Sequence, residues 1–371
     1  MSMQLADIGF SEAQGDLLEV ATDFCRDRSP ISKVRALMEG DTGYDLATWR
    51  EMADLGWMAI AVPEEFGGVG LCLAEVVPVV EQMGRNMLAS PFVPSSLVTQ
   101  VFISDASGAQ KAEWLPRLAA GSIATLALAE AHGDWDLEHI EARAVRDGDR
   151  LNLSGQKHFV LWADSADLII VSVRFEGETA FVLLARDDVP ASALRRETII
   201  DETKRSYALS LDAISVPAST LITNANLQAL TDAALLLQSA EMVGATQAVI
   251  DYTLGYLQTR KQFGKLIGEY QALKHPMVDA YVGYEKARSH LYSAAHCQGD
   301  QGRGSIAAHM AKASADKAYA FAADRAIQFH GGFGFTHDCD AGLHRRAAIF
   351  HASQHGDAGY HRSKLADLLL T

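Results

Sequence analysis

The chain has 371 residues, which is enough for two or three packed units that share a large hydrophobic core. Hydrophobic residues make up 49% of the sequence and charged residues 21%, as in ordinary globular proteins. The net charge of −15 argues against general binding of nucleic acids or of anionic membranes, because both carry negative charge themselves. A local basic site for an anionic substrate remains compatible with this composition.

Cysteine usage and the N-terminal segment bear on the compartment of the protein. The four cysteines are far apart and form no Cys-x-x-Cys pair: Cys25, Cys72, Cys297 and Cys339. We interpret them as reduced thiols and expect a cytoplasmic protein without a disulfide framework or a zinc site. The opening segment "MSMQLADIGFSEAQ" lacks a basic stretch before an apolar core, so we expect no secretory signal. No uninterrupted apolar run reaches about 18 residues, so we expect no membrane span.

The first 121 residues have the pattern of a helical domain. "SEAQGDLLEVATDFCRDR" carries apolar residues at helical spacing after a Ser/Glu start. "DLATWREMADLGWMAIAVP" predicts a second helix that stops at Pro63, and "EEFGGVGL" predicts a loop because of its glycines. "LAEVVPVVEQMGRNM" and "GAQKAEWLPRLAAGS" continue the helical pattern.

Residues 122–223 change to a β pattern, and residues 224–371 return to long helices. Runs such as "ADLIIVSVRF" and "ETAFVLLARD" are rich in β-branched or alternating residues, and turn formers separate them. "NLQALTDAALLLQSAEMVGATQAVIDYTLGYLQTR" and the Ala-rich "GSIAAHMAKASADKAYAFAADRAIQFH" then predict closely packed helices. The order predicts an α+β protein with a helical N-terminal domain, a central β domain and a C-terminal helical bundle.

Three stretches carry more information than their composition. They are "WREMADLGWMAIAVPEEFGGVGL" at 49–71, "RKQFGKLIGEYQALKHPMVDA" at 260–280 and "QFHGGFGF" at 328–335. In this order and spacing, over essentially the whole chain, the sequence resembles the acyl-CoA dehydrogenase family. The resemblance implies the acyl-CoA dehydrogenase fold, with a four-helix-bundle C-terminal domain, and FAD as the cofactor. It also implies an oligomer, homomeric or heteromeric and usually a dimer of dimers, with electron-transfer flavoprotein or a similar protein as electron acceptor.

The residue types in these stretches suit a flavin dinucleotide. Arg260 offers a planar head with several donors for phosphate oxygens. Glycines 331 and 332 lack a Cβ, so the backbone can approach a ligand closely. Neutral donors and acceptors come from three glutamines. A surface arginine, turn glycines and solvated glutamines are the plainer interpretation of each residue taken singly. By resemblance, the residues that contact FAD are Arg260, Gln262, Phe263, Ile267, Gln271, Gln328, Gly331 and Gly332, several of them on the FAD of a neighbouring subunit.

The β domain departs from the family pattern. The family usually has Thr-Glu-Pro near its first strand, where this chain has Ala129, Glu130 and Ala131. At the family's Trp-Ile-Thr segment the chain has Phe159, Val160 and Leu161. Phe159 can still stack on the flavin ring system. Ala129 and Leu161, however, offer no side-chain hydrogen bond, so the flavin pocket of this chain is expected to be atypical or empty.

The general base of the family is missing from both of its usual positions. α,β-Dehydrogenation of an acyl thioester needs a carboxylate at the α carbon and donors at the carbonyl. Gln354 stands at the commonest position and is no proton acceptor, and Ala234 stands at the other. Glu241 is the remaining catalytic candidate, because it lies about two helical turns from Ala234 on the same face. The alternative is a buried Glu241 that pairs with an arginine or caps a neighbouring helix.

Asp232 matches a family position that faces the CoA moiety, so it is a substrate-binding candidate. The adjacent family arginine falls at Leu235 and is absent, which puts standard CoA binding in doubt. The plainer interpretation of Asp232 is the N-cap of the long helix that follows.

The histidines near the C-terminus could form a site of their own. His351 and His355 stand four residues apart and could share a metal if both are helical. No Asp, Glu or Cys matches that spacing, and Gly356 predicts a helix end, so we expect no metal. His355 could instead replace the missing base. Our default is a solvated or subunit-facing helix end.

Three functions follow from these patterns. The leading hypothesis is an FAD-dependent acyl-CoA dehydrogenase that forms a 2-enoyl-CoA, in a divergent branch that resembles subunits of steroid side-chain acyl-CoA dehydrogenases. The second is a catalytically incomplete partner that completes the flavin site of another chain. The third is a flavin monooxygenase on the same fold.

Overall fold

The computed structural model of the protein describes residues 11–137, 139–300 and 302–370. Within these ranges the helices follow one another as α1 (Glu12–Arg28), α2 (Ile31–Glu39), α3 (Leu46–Asp54), α4 (Leu73–Arg85), α5 (Phe92–Asp105), α6 (Gly108–Ala119), α7 (Leu227–Leu257), α8 (Gln271–His296), α9 (Gly304–His330), α10 (Asp340–Ser353) and α11 (Ala358–Leu370).

The strands lie between α6 and α7, apart from one short hairpin. They are β1 (Ala124–Ala127), β2 (Arg143–Asp147), β3 (Arg150–Ser154), β4 (Gln156–Leu161), β5 (Leu168–Phe175), β6 (Glu178–Ala185), β7 (Leu194–Glu197), β8 (Ser206–Ser210), β9 (Ser215–Pro217) and β10 (Leu221–Ile222), with β11 (Lys261–Gln262) and β12 (Lys265–Leu266) in the hairpin. The predicted α+β order of helices, strands and helices is confirmed. The predicted limits at residues 121 and 223 fall in the connections before β1 and after β10, and as domain limits they stay predictions.

The strands between α6 and α7 form two sheets. The larger has seven strands in the order β10-β6-β5-β2-β3-β9, with β1 beside β5. Its β5–β6 pair is antiparallel over the whole length of both strands, whereas β1 runs parallel to β5. The smaller sheet has the order β4-β8-β7 and is antiparallel. The central position of β5 agrees with its nearly continuous burial, since a central strand is covered on both faces.

The chain divides into two compact units, and each is assembled from separate stretches of sequence. The first unit takes the stretches up to residue 34, from 73 to 88 and from 232 onward. It therefore contains α1, α4 and the helices from α8 to α11, together with most of α7. The second unit takes residues 35–72 and 89–231, and contains both sheets.

Two elements differ from the predicted pattern for local backbone reasons. The helix predicted to run to Pro63 ends at Asp54, because Gly56 adopts a left-handed conformation with φ of 77°. A single 3-10 turn, Trp57–Ala59, then follows. The second difference concerns Asp232 and is described with the site.

In the second unit, Arg205 holds the C-terminal end of α2. Its guanidinium donates to the carbonyl oxygens of Leu37 at 2.8 Å, Met38 at 2.9 Å and Asp41 at 3.1 Å. The last carbonyls of a helix have no partner within the helix and carry its partial negative charge. A buried arginine is a suitable cap for them, because its planar head has five donors and no acceptor.

In the first unit, α7 is the most apolar helix. It is long and apolar enough to cross a membrane by length and composition alone, with a mean hydropathy of 1.3 over 18 residues. However, 78% of that window is buried inside the structure, as in a core helix. In the same unit, α9 is Ala-rich along its buried face, which allows close packing against α8.

Candidate functional site

The hairpin of β11 and β12 presents the first group of predicted FAD residues. Phe263 and Gly264 form its tip, and both adopt left-handed conformations, with φ of 54° and 83°. Arg260 and Gln262 are exposed, and the Phe263 ring is 93% exposed. The Phe263 ring thus has almost no contact with the rest of its own chain.

The base of this hairpin is fixed by backbone contacts. The Ile267 N–H donates to the Arg260 carbonyl at 2.9 Å, and the Ile267 side chain is buried. The Tyr270 hydroxyl donates to the Gln262 carbonyl at 3.2 Å. Gln271 follows as the exposed first residue of α8. The hairpin is therefore anchored at its base and exposed at its tip.

The second group lies where α9 ends. Gln328 is exposed in the last turn of α9, and Gly331 follows with φ of 60°. A Cβ at Gly331 or Gly332 would meet nothing within 4 Å, so these glycines border open space. The His330 ring is stacked between Tyr252 and Tyr256, with ring centroids 4.8 and 4.3 Å apart. This aromatic stack anchors the glycine turn to α7.

In the second unit, Phe159 lies at an irregularity of β4. The pairing of β4 with β8 shifts register between Lys157 and Val160, and Phe159 has φ of 57°. One carboxylate supports this bulge. Glu197 accepts from the Phe159 N–H at 2.9 Å, pairs with Nδ1 of His158 at 2.7 Å, and accepts from the Ser206 hydroxyl at 3.0 Å. The sequence alone did not indicate this role for Glu197, because it depends on the pairing of β7 with β8.

The neighbouring family positions supply no polar side chain. Ala129 is buried, and its carbonyl accepts from the His158 N–H at 2.9 Å. Leu161 is half-buried. The residues of the first unit thus fit FAD through a cation, amides and an exposed ring. Those of the second unit offer the ring of Phe159 and backbone groups, but no hydroxyl at positions 129 and 161.

Glu130, which the chain shares with the family pattern, is fully engaged inside the second unit. Its carboxylate accepts from Lys157 Nζ at 2.7 Å and from the N–H groups of Glu141 and Ala142 at 2.8 and 2.9 Å. Burial raises the pKa of Glu130, but the Lys157 pair and the backbone donors outweigh burial and leave that pKa below its ordinary value. Glu130 is therefore held ionised as part of the framework.

Gln354 ends α10 and is 7% exposed. Its N–H donates to the His351 carbonyl at 3.2 Å. Ala234, at the family's other base position, is buried in α7. Neither position can accept a proton at neutral pH.

The structure brings Glu241 to the same end of α10. Its Oε1 lies 3.7 Å from Nε2 of His351, and its side chain is 18% exposed. Glu241 and Gln354, the two catalytic candidates from the sequence, thus both adjoin His351. The partner of Glu241 in this contact is a histidine rather than the arginine considered from the sequence.

The interpretation of the C-terminal histidines as a solvated helix end is wrong for His344, His351 and His361, which are all buried. The reason is packing of α10 and α11 on α9. The Tyr319 hydroxyl lies 3.2 Å from Nδ1 of His344. Burial, followed by the charge of Lys312, lowers the pKa of His361 to about 3. His361 is therefore a structural group that stays neutral at neutral pH.

His355 lies beyond the end of α10 with φ of 57°, so it is not on a shared helical face with His351. Burial and the charge of Lys312 lower the pKa of His355 to about 3. Such a weak base is a poor replacement for the missing glutamate. In the ranges 11–137, 139–300 and 302–370, no three His, Cys, Asp or Glu residues cluster as a metal site would require.

The prediction that Asp232 caps the long helix is wrong. α7 begins at Leu227, and the Asn226 side chain accepts from the Ala229 N–H at 3.0 Å. Asp232 lies inside the helix, six residues after Asn226, and accepts from the Ser305 hydroxyl at 2.7 Å. The cap is therefore Asn226, which was not considered from the sequence.

Comparisons with known proteins agree with the fold. Residues 11–122 match the model of the acyl-CoA dehydrogenase N-terminal domain, and residues 228–370 match that of the C-terminal domain. The chain is 29% identical to "Acyl-CoA dehydrogenase IpdE2" of Mycolicibacterium smegmatis, over 91% of this chain and 93% of the relative. It is 30% identical to "Acyl-CoA dehydrogenase FadE12" of Mycobacterium tuberculosis, over 78% of each chain.

Among solved structures, the fold is similar to that of a variant of the "Tcur3481-Tcur3483 steroid ACAD". The TM-score is 0.87 and the identity 26%, over 97% of this chain and 98% of the other.

Proposed function

Since the chain belongs to the acyl-CoA dehydrogenase family, whose members are oxidoreductases acting on the CH–CH group of acyl-CoA with FAD as cofactor, we propose that it works as one subunit of a heteromeric enzyme of this class. The reaction is α,β-dehydrogenation of an acyl-CoA thioester to a 2-enoyl-CoA, in the cytoplasm. Electron-transfer flavoprotein or a similar acceptor takes the electrons.

One asymmetry carries the proposal. The residues offered to a neighbouring subunit's flavin are present and exposed, with Phe263 at the tip of an anchored hairpin. The positions that would hold the chain's own flavin ring lack their hydroxyl groups at Ala129 and Leu161, and Gln354 stands in place of the base. A partner chain with complete positions would supply what is missing. The composite name of the Tcur3481-Tcur3483 steroid ACAD is consistent with such a pair.

The residues of this chain have separable roles in the proposal. Arg260 binds pyrophosphate oxygens, and Gln262, Gln271 and Gln328 hold polar edges of the cofactor. Phe263 excludes water from the cofactor of the neighbouring subunit, and Ile267 and the Gly331–Gly332 turn let the backbone approach that cofactor closely. Phe159 belongs instead to the chain's own, atypical flavin position. FAD, when bound, supplies the hydride acceptor of the reaction.

Proton removal from the α carbon is assigned to Glu241, or to a carboxylate of the partner. Glu241 is half-buried, and its Oε1 lies 3.7 Å from Nε2 of His351. A positioned carboxylate is a suitable general base for this step. Asp232 remains the substrate-binding candidate at the start of the same helix, for the CoA moiety.

The visible flavin spectrum of the full chain, purified alone and with a companion homologue, tests the proposal. We expect little flavin on the chain alone and a full flavin band on the pair, which an acyl-CoA reduces anaerobically. A stoichiometric flavin on the isolated chain that an acyl-CoA reduces would show a self-sufficient homomer and contradict the heteromer.

Two variants locate the contributions of this chain within the pair. Arg260→Met is expected to weaken flavin retention, whereas Lys261→Met, its exposed neighbour, serves as the matched control. Glu241→Gln is expected to abolish turnover with flavin retained if this chain supplies the base. Unchanged turnover would assign the base to the partner.

The main alternative is that the chain is catalytically silent and only completes the partner's flavin site. The lack of a proton acceptor at Gln354 favours it. The Glu241→Gln variant separates the two versions, since a silent subunit tolerates that substitution.

A further inference from the structure

One face of α9 is polar although it is largely buried. Ser305, His309, Lys312 and Asp316 follow at spacings of four, three and four residues, which places them on a single face of the helix. The rest of the buried surface of α9 is mostly alanine. A polar stripe inside an alanine-rich helix requires partners, since buried polar groups are costly unless they are hydrogen-bonded.

Lys312 provides the central contact of this stripe. The residue is 0% exposed, and its Nζ donates to the carbonyls of His351 at 3.1 Å and Gly356 at 3.0 Å. These two carbonyls lie on either side of Gln354 in the chain. One ammonium therefore spans the turn that carries the position of the family's base.

A pair of histidines holds the same turn from α11. Nε2 of His361 lies 3.1 Å from the Gly356 carbonyl, and its Nδ1 lies 2.7 Å from Nδ1 of His309. A carbonyl only accepts, so His361 donates from Nε2. When His361 is neutral, its Nδ1 then accepts from His309. The Gly356 carbonyl is thus held by both Lys312 and His361.

Asp316 completes the contacts at the start of α11. Its carboxylate accepts from the Ala358 N–H at 2.8 Å. In the segment between α10 and α11, His355 has an unfavourable backbone conformation, because it is a non-glycine residue with a positive φ of 57°. Such a residue persists where the surroundings over-determine its conformation. The side chains of α9 provide those surroundings.

We propose that Lys312 is a positioning residue, which fixes Gln354 and the turn around it by bridging the carbonyls of His351 and Gly356, with the His309–His361 pair as a second tie. The inference rests on the proposed function only in taking Gln354 to mark the acyl-CoA side of the site. The polar face of α9 thus positions the turn around Gln354 without itself contacting a substrate.

Hydrogen exchange of the full chain, resolved by peptide, tests this assignment. Lys312→Met keeps the side-chain length and removes the donors. We expect exchange of the amides of Gln354, Ala358 and His361 to become about ten-fold faster or more. Amides in the middle of α9 are expected to keep their rates. Lys317→Met, an exposed lysine on the same helix, is the matched control and is expected to change neither set.

Lys312→Arg distinguishes positioning from simple packing. Methionine is closer to lysine in size, so a packing role predicts that Lys312→Met is the milder variant. A positioning role predicts that Lys312→Arg is the milder one, because arginine retains the charge and the donors.

Unchanged rates at residues 354–361 in Lys312→Met would overturn the proposal, and so would a uniform increase across α9 and α11. A smaller change of the exchange rates in Lys312→Met than in Lys312→Arg would overturn it too. Hydrogen exchange is measured without flavin or turnover. A negative exchange result therefore leaves the proposed function intact, and a negative flavin result leaves the positioning role of Lys312 intact.

Discussion

Gly84 of α4 and Gly244 of α7 are packed reciprocally in a single helix crossing. A Cβ at Gly84 would stand 2.0 Å from the Glu241 carbonyl oxygen, and a Cβ at Gly244 would stand 1.8 Å from the Glu81 carbonyl oxygen. Both distances are far inside van der Waals contact with backbone atoms that cannot rotate away. The crossing therefore holds α4 and α7 in backbone contact, with Glu81 and Glu241 at the points of contact.

Gly244→Ala is expected to force α4 and α7 apart and to lower the free energy of unfolding by about 2–3 kcal/mol or more. Gly255→Ala is the matched control within the same helix, because its Cβ would meet nothing within 4 Å. It is expected to stabilise the protein by up to about 1 kcal/mol. Urea unfolding of both variants checks the contrast. Equal effects would mean that the crossing tolerates a methyl group.

Glu81 has a buried carboxylate, and we expect the loss of each of its partners to lower the free energy of unfolding by a different amount. Arg288 Nε lies 2.8 Å from Glu81, and the Tyr292 hydroxyl donates to the same carboxylate. Arg288→Met leaves the charge of Glu81 buried with less compensation, so we expect a loss of about 3–5 kcal/mol in unfolding free energy. Tyr292→Phe is expected to cost less, about 1.5–3 kcal/mol.

Arg303 is the control for this charge effect. It pairs with Asp300 at 2.9 Å on the surface, where solvent screens the charges, so Arg303→Met is expected to leave the free energy of unfolding almost unchanged. Chemical denaturation in low and high salt measures all three variants. A loss at Arg303 as large as that at Arg288 would contradict the role of burial.

From the lowered pKa of Lys312 we predict that its contribution to the free energy of unfolding increases with pH. Burial lowers the pKa of Lys312 from 10.5 to about 8. Between these values the unfolded chain binds more protons than the native one, so the contribution of Lys312 to stability rises with pH. The cost of burying the charged Lys312 ammonium is fully present below pH 8 and vanishes towards pH 10.5.

We therefore expect the difference in unfolding free energy between the wild type and Lys312→Met to change by about 1.4 kcal/mol per pH unit in this window, in favour of the wild type. Denaturant titrations at several pH values measure the difference, in which the other alkaline groups cancel. A difference independent of pH would show that Lys312 titrates normally.

Arg205 predicts that even a conservative change is costly. Its guanidinium reaches several carbonyls at the end of α2 at once, and lysine has only three donors on a flexible stem. Arg205→Lys is expected to lower the unfolding free energy by about 1–3 kcal/mol. Arg195→Lys, exposed on β7, is the control and is expected to stay within about 0.5 kcal/mol. Thermal unfolding of the pair distinguishes them.

The sequence predicted the order of helices and strands because hydrophobic periodicity and turn residues are local signals. It also predicted which positions lack the family's polar groups, since absence of a hydroxyl at Ala129 or Leu161 is visible without coordinates. Phe263 was indicated as a flavin contact only through the family pattern, and the hairpin that presents it was not predicted.

Contacts between distant segments were not predictable in this way. The histidines looked solvated because "HASQHGD" is polar, yet α9 covers them with the stripe that includes Lys312. Nothing in the Ala-rich sequence of α9 indicated that Lys312 is buried. Likewise, Asn and Asp are both favoured N-caps, so residue type alone did not show that α7 begins after Asn226 rather than at Asp232.

The division of the chain into units has a consequence for the order of folding. The second unit, residues 35–72 and 89–231, ends before most of the first unit has been synthesised. α1 and α4 leave the ribosome early, but Gly84 meets Glu241 only after more than a hundred further residues, and Glu81 waits longer for Arg288. With synthesis at about 5–20 residues per second, these helices spend several seconds or more without their final neighbours. The sheet-containing unit can close first, and the helices of the first unit then assemble around late contacts of high sequence separation.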